Sequence, residues 1–73
     1  MAPEATTRTT IVLNGEEVET QARTLADLVA DRGFAEAEVA TALNGDFVPR
    51  QARAATQLAR GDRVEIVAPR QGG

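Results

Sequence analysis

The group best suited to chemistry in this sequence is the α-carboxylate of Gly73, which follows Gly72. The side chains offer little competition. Ser, Cys, Lys and Tyr, the usual nucleophiles, are all absent, and so is His, the usual general base. Eight threonines and eleven carboxylates remain, a set from which a self-contained enzyme is not expected. Glycine has no Cβ, so a Gly-Gly end can thread a narrow channel and take backbone angles closed to other residues. Adenylation by a partner would turn the terminal carboxylate into an acyl-phosphate anhydride. A sulfur donor could then displace AMP and leave a thiocarboxylate, a soft nucleophile that is ionised at neutral pH. A chain without cysteine suits this use, because no internal thiol competes for the activated group. A frayed terminus is the plain alternative for two closing glycines. It loses ground when they follow the last strand of a compact domain.

The rest of the composition narrows the classes. Seventy-three residues make one small domain, which buries only roughly 60% of the surface its unfolded chain exposes. Without Cys or His there is neither a disulfide nor a zinc site of the usual kind to staple it, so packing alone must hold it. The net charge is -3, and all eight positive side chains are arginines scattered among acids. Nucleic-acid binders of this size are typically basic on one face, and two phenylalanines give bases little to stack on. No apolar run approaches membrane length, and residues 1–10 hold no stretch that could serve as a signal peptide. A cytoplasmic protein, a monomer on its own, is expected.

The elements that must position the end read as follows. Residues 1–8 form a loose polar extension. Residues 10–13 are β-branched and apolar and lead into Asn14-Gly15, the strongest short hairpin signal because both turn residues must take positive φ. Residues 18–22 return as a second strand, in which Val18 and Thr20 alternate with Glu17 and Glu19. Thr24 caps a helix over residues 25–32, with Asp27 placed to complete a capping box. Leu25, Leu28 and Val29 form its apolar stripe. Gly33 suits the left-handed residue after the last turn, and Phe34 the hydrophobic contact of a Schellman motif. Residues 35–38 are a turn or a fragment of helix.

Residues 39–43 form a strand, Asn44-Gly45 a second hairpin turn, and residues 46–48 a short return stopped by Pro49. Residues 50–60 are alanine-rich and admit a short helical turn, with Leu58 the one clear anchor. Gly61-Asp62 is a turn and residues 63–67 the last strand. Residues 69–73 form a flexible Gly-Gly tail after the domain of residues 9–68. The order β-β-α-β-β-β describes an α+β domain whose single main helix covers one face of a mixed sheet of four to five strands. Parallel pairing of the first and last strands at the sheet centre would bury Ile11, Leu13, Val64 and Ile66. That arrangement is the β-grasp, or ubiquitin-like, fold.

With these residues placed, the sequence resembles the ThiS-type sulfur carrier proteins of thiazole (thiamine) biosynthesis. The resemblance rests on Leu13-Asn14-Gly15-Glu16, Thr24-Leu25-Ala26-Asp27-Leu28, and Ala42-Leu43-Asn44-Gly45 with Val48-Pro49-Arg50. Gly61 through Val67 and the terminal Gly72-Gly73 complete it. It implies that Gly73 is adenylated by a ThiF-like enzyme using ATP and magnesium, and that the carrier itself binds no cofactor. A cysteine desulfurase-type donor would supply sulfur, and a ThiG-like thiazole synthase would take the thiocarboxylate. Gly72, Gln71 and Arg70 would lie in the partner's channel. Two departures stand out: Arg53 occupies a position that is often aromatic, and Pro69-Arg70 replaces a common Ala-Val.

By strand alternation, Thr41, Leu43, Val64 and Ile66 face the helix, and Ala40, Ala42 and Val67 the open side. Phe47 belongs either with that open face or in the core. Ala42, Val67 and Phe47 are candidates for a docking patch, since exposed apolar clusters often mark partner sites; small exposed apolar residues are also ordinary. Arg50 either binds acidic partner groups or is simply solvated. Glu16, Glu17 and Glu19 read as a wet hairpin face. Two other functions fit the same sequence: a MoaD-like molybdopterin carrier or a carrier for another pathway, and a non-covalent β-grasp binding module.

Overall fold

The computed structural model describes residues 8–68. Of the expected extension only Arg8 is among them, and the expected tail with Arg70, Gln71, Gly72 and Gly73 lies outside them.

Both Asn-Gly pairs make the turns expected of them. β1 (Thr9–Leu13) and β2 (Glu16–Thr20) are antiparallel about Asn14-Gly15. β3 (Ala40–Leu43) and β4 (Asp46–Val48) are antiparallel about Asn44-Gly45. Asn14 and Asn44 both take φ 51°, with Gly15 at 86° and Gly45 at 89°. These are the positive angles that a two-residue hairpin loop needs if the strands are to keep their right-handed twist. β2 starts two residues earlier than the sequence suggests and stops at Thr20. There the Thr20 hydroxyl accepts the Ala22 N–H at 3.0 Å and turns the chain off the sheet toward α1.

α1 (Leu25–Asp31) has both ends the sequence specifies. Thr24 Oγ1 accepts the Asp27 N–H at 3.1 Å, and the Asp27 carboxylate accepts the Thr24 N–H at 3.3 Å. This is the reciprocal capping box. At the other end Gly33 takes φ 80°. Phe34 N–H donates to Val29 C=O at 3.1 Å and Gly33 N–H to Ala30 C=O at 3.0 Å, the two bonds of a Schellman motif. Leu25, Leu28 and Val29 are fully buried, each contributing about 1.5–3 kcal/mol relative to exposure.

The strands form one mixed sheet in the order β2-β1-β5-β3-β4, where β5 is Arg63–Val67. β5 lies parallel to β1 and antiparallel to β3. Placing it at the centre buries Val64 and Ile66 beside Ile11 and Leu13 of β1, beneath α1 and with Val48 of β4. Val18, Phe34, Leu43 and Leu58 close the rim of this core. The architecture is the β-grasp.

Residues 50–60 hold the short helical turn that their alanines admit, and one side chain in it was not foreseen. A 3-10 helix occupies Arg50–Ala55. The chain then runs antiparallel to the entry of α1: Leu25 N–H donates to Thr56 C=O and Leu58 N–H to Arg23 C=O, both at 2.9 Å. Leu58 does anchor the segment, but Arg53 is the residue it buries, at 3% exposure. Its guanidinium donates from Nε to Thr41 Oγ1 (3.0 Å), from Nη1 to Glu36 C=O (2.8 Å) and from Nη2 to Val39 C=O (2.7 Å). It thereby ties this segment to a 3-10 turn at Glu36–Glu38 and to β3. A buried charge is tolerated only when hydrogen bonded, and neutral oxygens supply those bonds here.

Candidate functional site

The side of the sheet away from α1 carries the residues singled out as a docking patch. Side chains alternate along each strand. Burial of Val64 and Ile66 therefore turns Arg63, Glu65 and Val67 of β5 outward. Burial of Thr41 likewise puts Ala40 and Ala42 of β3 outward. Register then joins these rows across the sheet. Ala42 stands opposite Phe47 on β4 and opposite Glu65 on β5, and Ala40 opposite Val67. Directly opposed residues share a face, so Phe47, Ala42, Ala40 and Val67 belong to one surface. Phe47 is 68% exposed and Val67 60%; the core alternative for Phe47 is ruled out. Ala42 is half-buried between its neighbours.

A polar group interrupts the surface: Glu65 stands beside Ala42 on the side away from Phe47, whereas Asp46, opposite Leu43, belongs to the helix side. Toward the β2 edge the surface becomes acidic, with Glu17 and Glu19 exposed; Glu16 is exposed too, but it stands opposite Leu13 and so belongs to the helix side. Glu19 pairs with Arg8 at 3.6 Å, with both side chains more than half exposed. Such a pair contributes about 0–1 kcal/mol. Arg50 belongs elsewhere. It lines a shallow groove on the helix side with Ala26, Glu36, Gln51 and Ala54.

The apolar rows lie beside the end of β5, from which the chain continues toward Gly73. Val67 is the last residue of the strand. On one flank it and Ile66 are paired with Ala40 and Thr41 of β3. On the other flank β1 has already turned away. Asn14 reaches across instead: Oδ1 accepts the Ile66 N–H at 2.9 Å and Nδ2 donates to the Ile66 C=O at 3.2 Å. The second turn asparagine does comparable work at the start of the strand. Asn44 Oδ1 accepts the Arg63 N–H at 2.8 Å, and its Nδ2 donates to Asp62 Oδ1 at 3.1 Å. Sequence reading used both asparagines for their turn angles and missed these contacts. Their signal is chemical: Asn combines tolerance of positive φ with a side chain that both donates and accepts.

Gly72, Gly73, Gln71 and Arg70, the other site residues expected from sequence, lie outside the described residues. No described helix is long and apolar enough to cross a membrane.

Comparison with known proteins bears on this arrangement. The model of the ThiS family matches residues 5–73, a span that takes in the exposed apolar surface, β5 and both terminal glycines. The crystal structure of the thiamine biosynthesis protein ThiS from Geobacter metallireducens is similar with a TM-score of 0.72 at 29% identity. It covers 89% of this chain and 100% of that one. The NMR solution structure of a thiamine biosynthesis protein from the same organism gives a TM-score of 0.75 at 29% identity, covering 89% and 88%. No curated protein matches the chain closely enough to count as a relative. The family match over nearly the whole sequence and the shared fold agree: the chain belongs to the ThiS family, which at family level makes it a sulfur carrier of thiamine biosynthesis.

Proposed function

We propose that this chain is a cytoplasmic protein cosubstrate whose Gly73 carboxylate is the reacting group. A ThiF-like adenylyltransferase, using ATP and magnesium, joins that carboxylate to AMP and releases pyrophosphate. The outer sulfur of a persulfide from a cysteine desulfurase-type donor attacks the acyl carbon and AMP leaves; a thiol reductant then cleaves the S–S bond of the acyl disulfide and frees the thiocarboxylate, which free sulfide would give directly. A ThiG-like thiazole synthase then consumes the thiocarboxylate. The observation that carries this reading is the family match running through Gly72 and Gly73. The absence of Ser, Cys, Lys, Tyr and His supports it, since no side chain rivals the terminal carboxylate as a carrier.

The sheet surface around Phe47, Ala42 and Val67 is the docking patch in this reading. It adjoins the end of β5, so a partner seated on it has its channel close to the start of residues 68–73. Arg70 and Gln71 line the way in, and Gly72 and Gly73 pass the narrowest part because they have no side chain.

The test is intact mass after incubation with ATP, magnesium, a ThiF-like adenylyltransferase and a sulfide source. Replacement of one oxygen by sulfur is expected, and is lost when Gly73 is deleted. Conversion by a MoaD-type activator alone would move the chain to the molybdopterin pathway. No change with either, while both enzymes modify their own carriers, would favour a non-covalent binding module.

A further inference from the structure

We infer that Asn14 is a positioning residue: its carboxamide fixes the point at which the C-terminal segment leaves the sheet. The inference rests on the carrier reading above and adds to it a residue far from the terminus in sequence.

The geometry begins with the parallel ladder. Val12 N–H donates to Asp62 C=O at 2.9 Å and Asn14 N–H to Val64 C=O at 2.8 Å. In a regular parallel pair the next bond would run from the Ile66 N–H to the main-chain carbonyl of Asn14. At φ 51° Asn14 has already entered the hairpin turn. Its Oδ1 takes the Ile66 N–H instead, and Nδ2 adds a bond to the Ile66 carbonyl. A side chain thus extends the β1 flank of β5 beyond Leu13↔Val64, the last paired residues. It acts on Ile66, the final core residue before Val67 and the segment that ends in Gly73.

The mechanical consequence follows from chain length. From Val67 to Gly73 is six residues, which span at most about 20–22 Å fully extended. That span sets where a docked carrier can deliver its carboxylate. Without the Asn14 bonds β3 alone holds Ile66 and Val67; each time that single flank opens, the anchor retreats to Glu65 and the segment beyond it gains two residues, about 7 Å of extra reach. A longer tether dilutes the carboxylate at the partner's active centre. Val67 would also lose its fixed place in the docking surface.

The experiment compares Asn14→Gly, Asn14→Asp and Asn44→Gly. Asn14→Gly keeps the turn, since glycine accepts positive φ, and removes both bonds to Ile66. Asn14→Asp keeps the acceptor but sets a second oxygen against the Ile66 carbonyl. Asn44→Gly makes the same change at the opposite end of β5. Amide exchange at Ile66 should accelerate by about tenfold or more in Asn14→Gly, where both bonds are lost, and by less in Asn14→Asp, which keeps the acceptor. It should not do so in Asn44→Gly. With the adenylyltransferase, kcat should fall by about tenfold for Asn14→Gly, within the range that small misplacements of a reacting group produce. Asn44→Gly should match wild type.

Unchanged exchange at Ile66 in Asn14→Gly would overturn the clamp. Faster exchange with unchanged kcat, or an equal loss in Asn44→Gly, would overturn the positioning role. A wild-type chain that the adenylyltransferase cannot use overturns the carrier reading and the positioning role together, and is recognisable because the exchange result stands independently of it.

Discussion

Thr41 Oγ1 and Arg53 Nε lie 3.0 Å apart in the interior, and the same hydroxyl donates to the Val48 carbonyl at 2.8 Å. One side chain therefore links β3 to the edge strand β4 and to the segment that packs beneath α1. Both residues are buried, at 2% and 3% exposure. Among the described side chains no buried polar atom lacks a partner. The exposed Phe47 sits on the strand that this relay holds, so the interior network and the outer apolar surface share β4.

The relay should show as energetic coupling. Thr41→Val is close in volume but leaves Arg53 Nε and the Val48 carbonyl without that partner, which should cost about 1–3 kcal/mol. Arg53→Met keeps an unbranched stem and removes the charge. In that background Thr41→Val breaks only the Val48 bond. A double-mutant cycle by urea unfolding should give a coupling of about 0.5 kcal/mol or more. Equal effects of Thr41→Val in both backgrounds would show that the Arg53 contact contributes nothing.

The ends of α1 give a second, independent test. Thr24→Ala removes the hydroxyl half of the capping box and should cost about 1 kcal/mol. Gly33→Ala places a Cβ in open space, with nothing within 4 Å, so the positive φ alone is penalised, by about 1–2 kcal/mol. For a domain of this size each kcal/mol should lower Tm by about 4–8 °C. Because the two sites share no partner, the double variant should lose the sum. A Tm unmoved by Gly33→Ala would mean that the helix end rearranges without cost.

These local devices were legible because their signals are local. Asn-Gly demands positive φ within two residues, and Thr24 with Asp27, or Gly33 with Phe34, close over a single turn. The central place of β5 followed from burial, since two apolar strands need covered neighbours. Arg53 was hidden because a buried guanidinium depends on carbonyls at Glu36 and Val39, far along the chain. Nothing in an alanine-rich stretch announces them. Asn14 was half legible: its turn angle could be read, but its bonds to Ile66 span 52 residues. Phe47 could be assigned to a face only once the register with Ala42 was known.

If the terminal carboxylate is the reacting group, one residue added after Gly73 should abolish the conversion. The addition comes six residues after Val67, the last residue of β5, so the urea midpoint should match wild type. Thiocarboxylation, followed by intact mass, should fall to background, because the added residue moves the carboxylate and gives it a different α-carbon. Undiminished conversion with the new residue still attached would require the sulfur to enter elsewhere.

If the exposed apolar surface is where a partner docks, stability and recognition should separate. Phe47 is 68% exposed and Val67 60%, so Phe47→Ala and Val67→Ala should each shift stability by no more than about 0.5 kcal/mol, as is usual for surface positions. A few central side chains that become fully desolvated carry most of an interface's energy, and Phe47 is the largest apolar side chain this surface offers. Phe47→Ala should therefore lower kcat/KM for adenylation by about tenfold, equivalent to ~1.4 kcal/mol, chiefly through a higher KM. Phe47→Asp should lower it further, because it sets a charge against an apolar partner surface. Glu17→Gln, on the acidic β2 side, is the comparison expected to leave KM within about twofold, since rim charges contribute little to affinity. A KM raised by Glu17→Gln but not by Phe47→Ala would move the partner to the β2 edge and away from the end of β5.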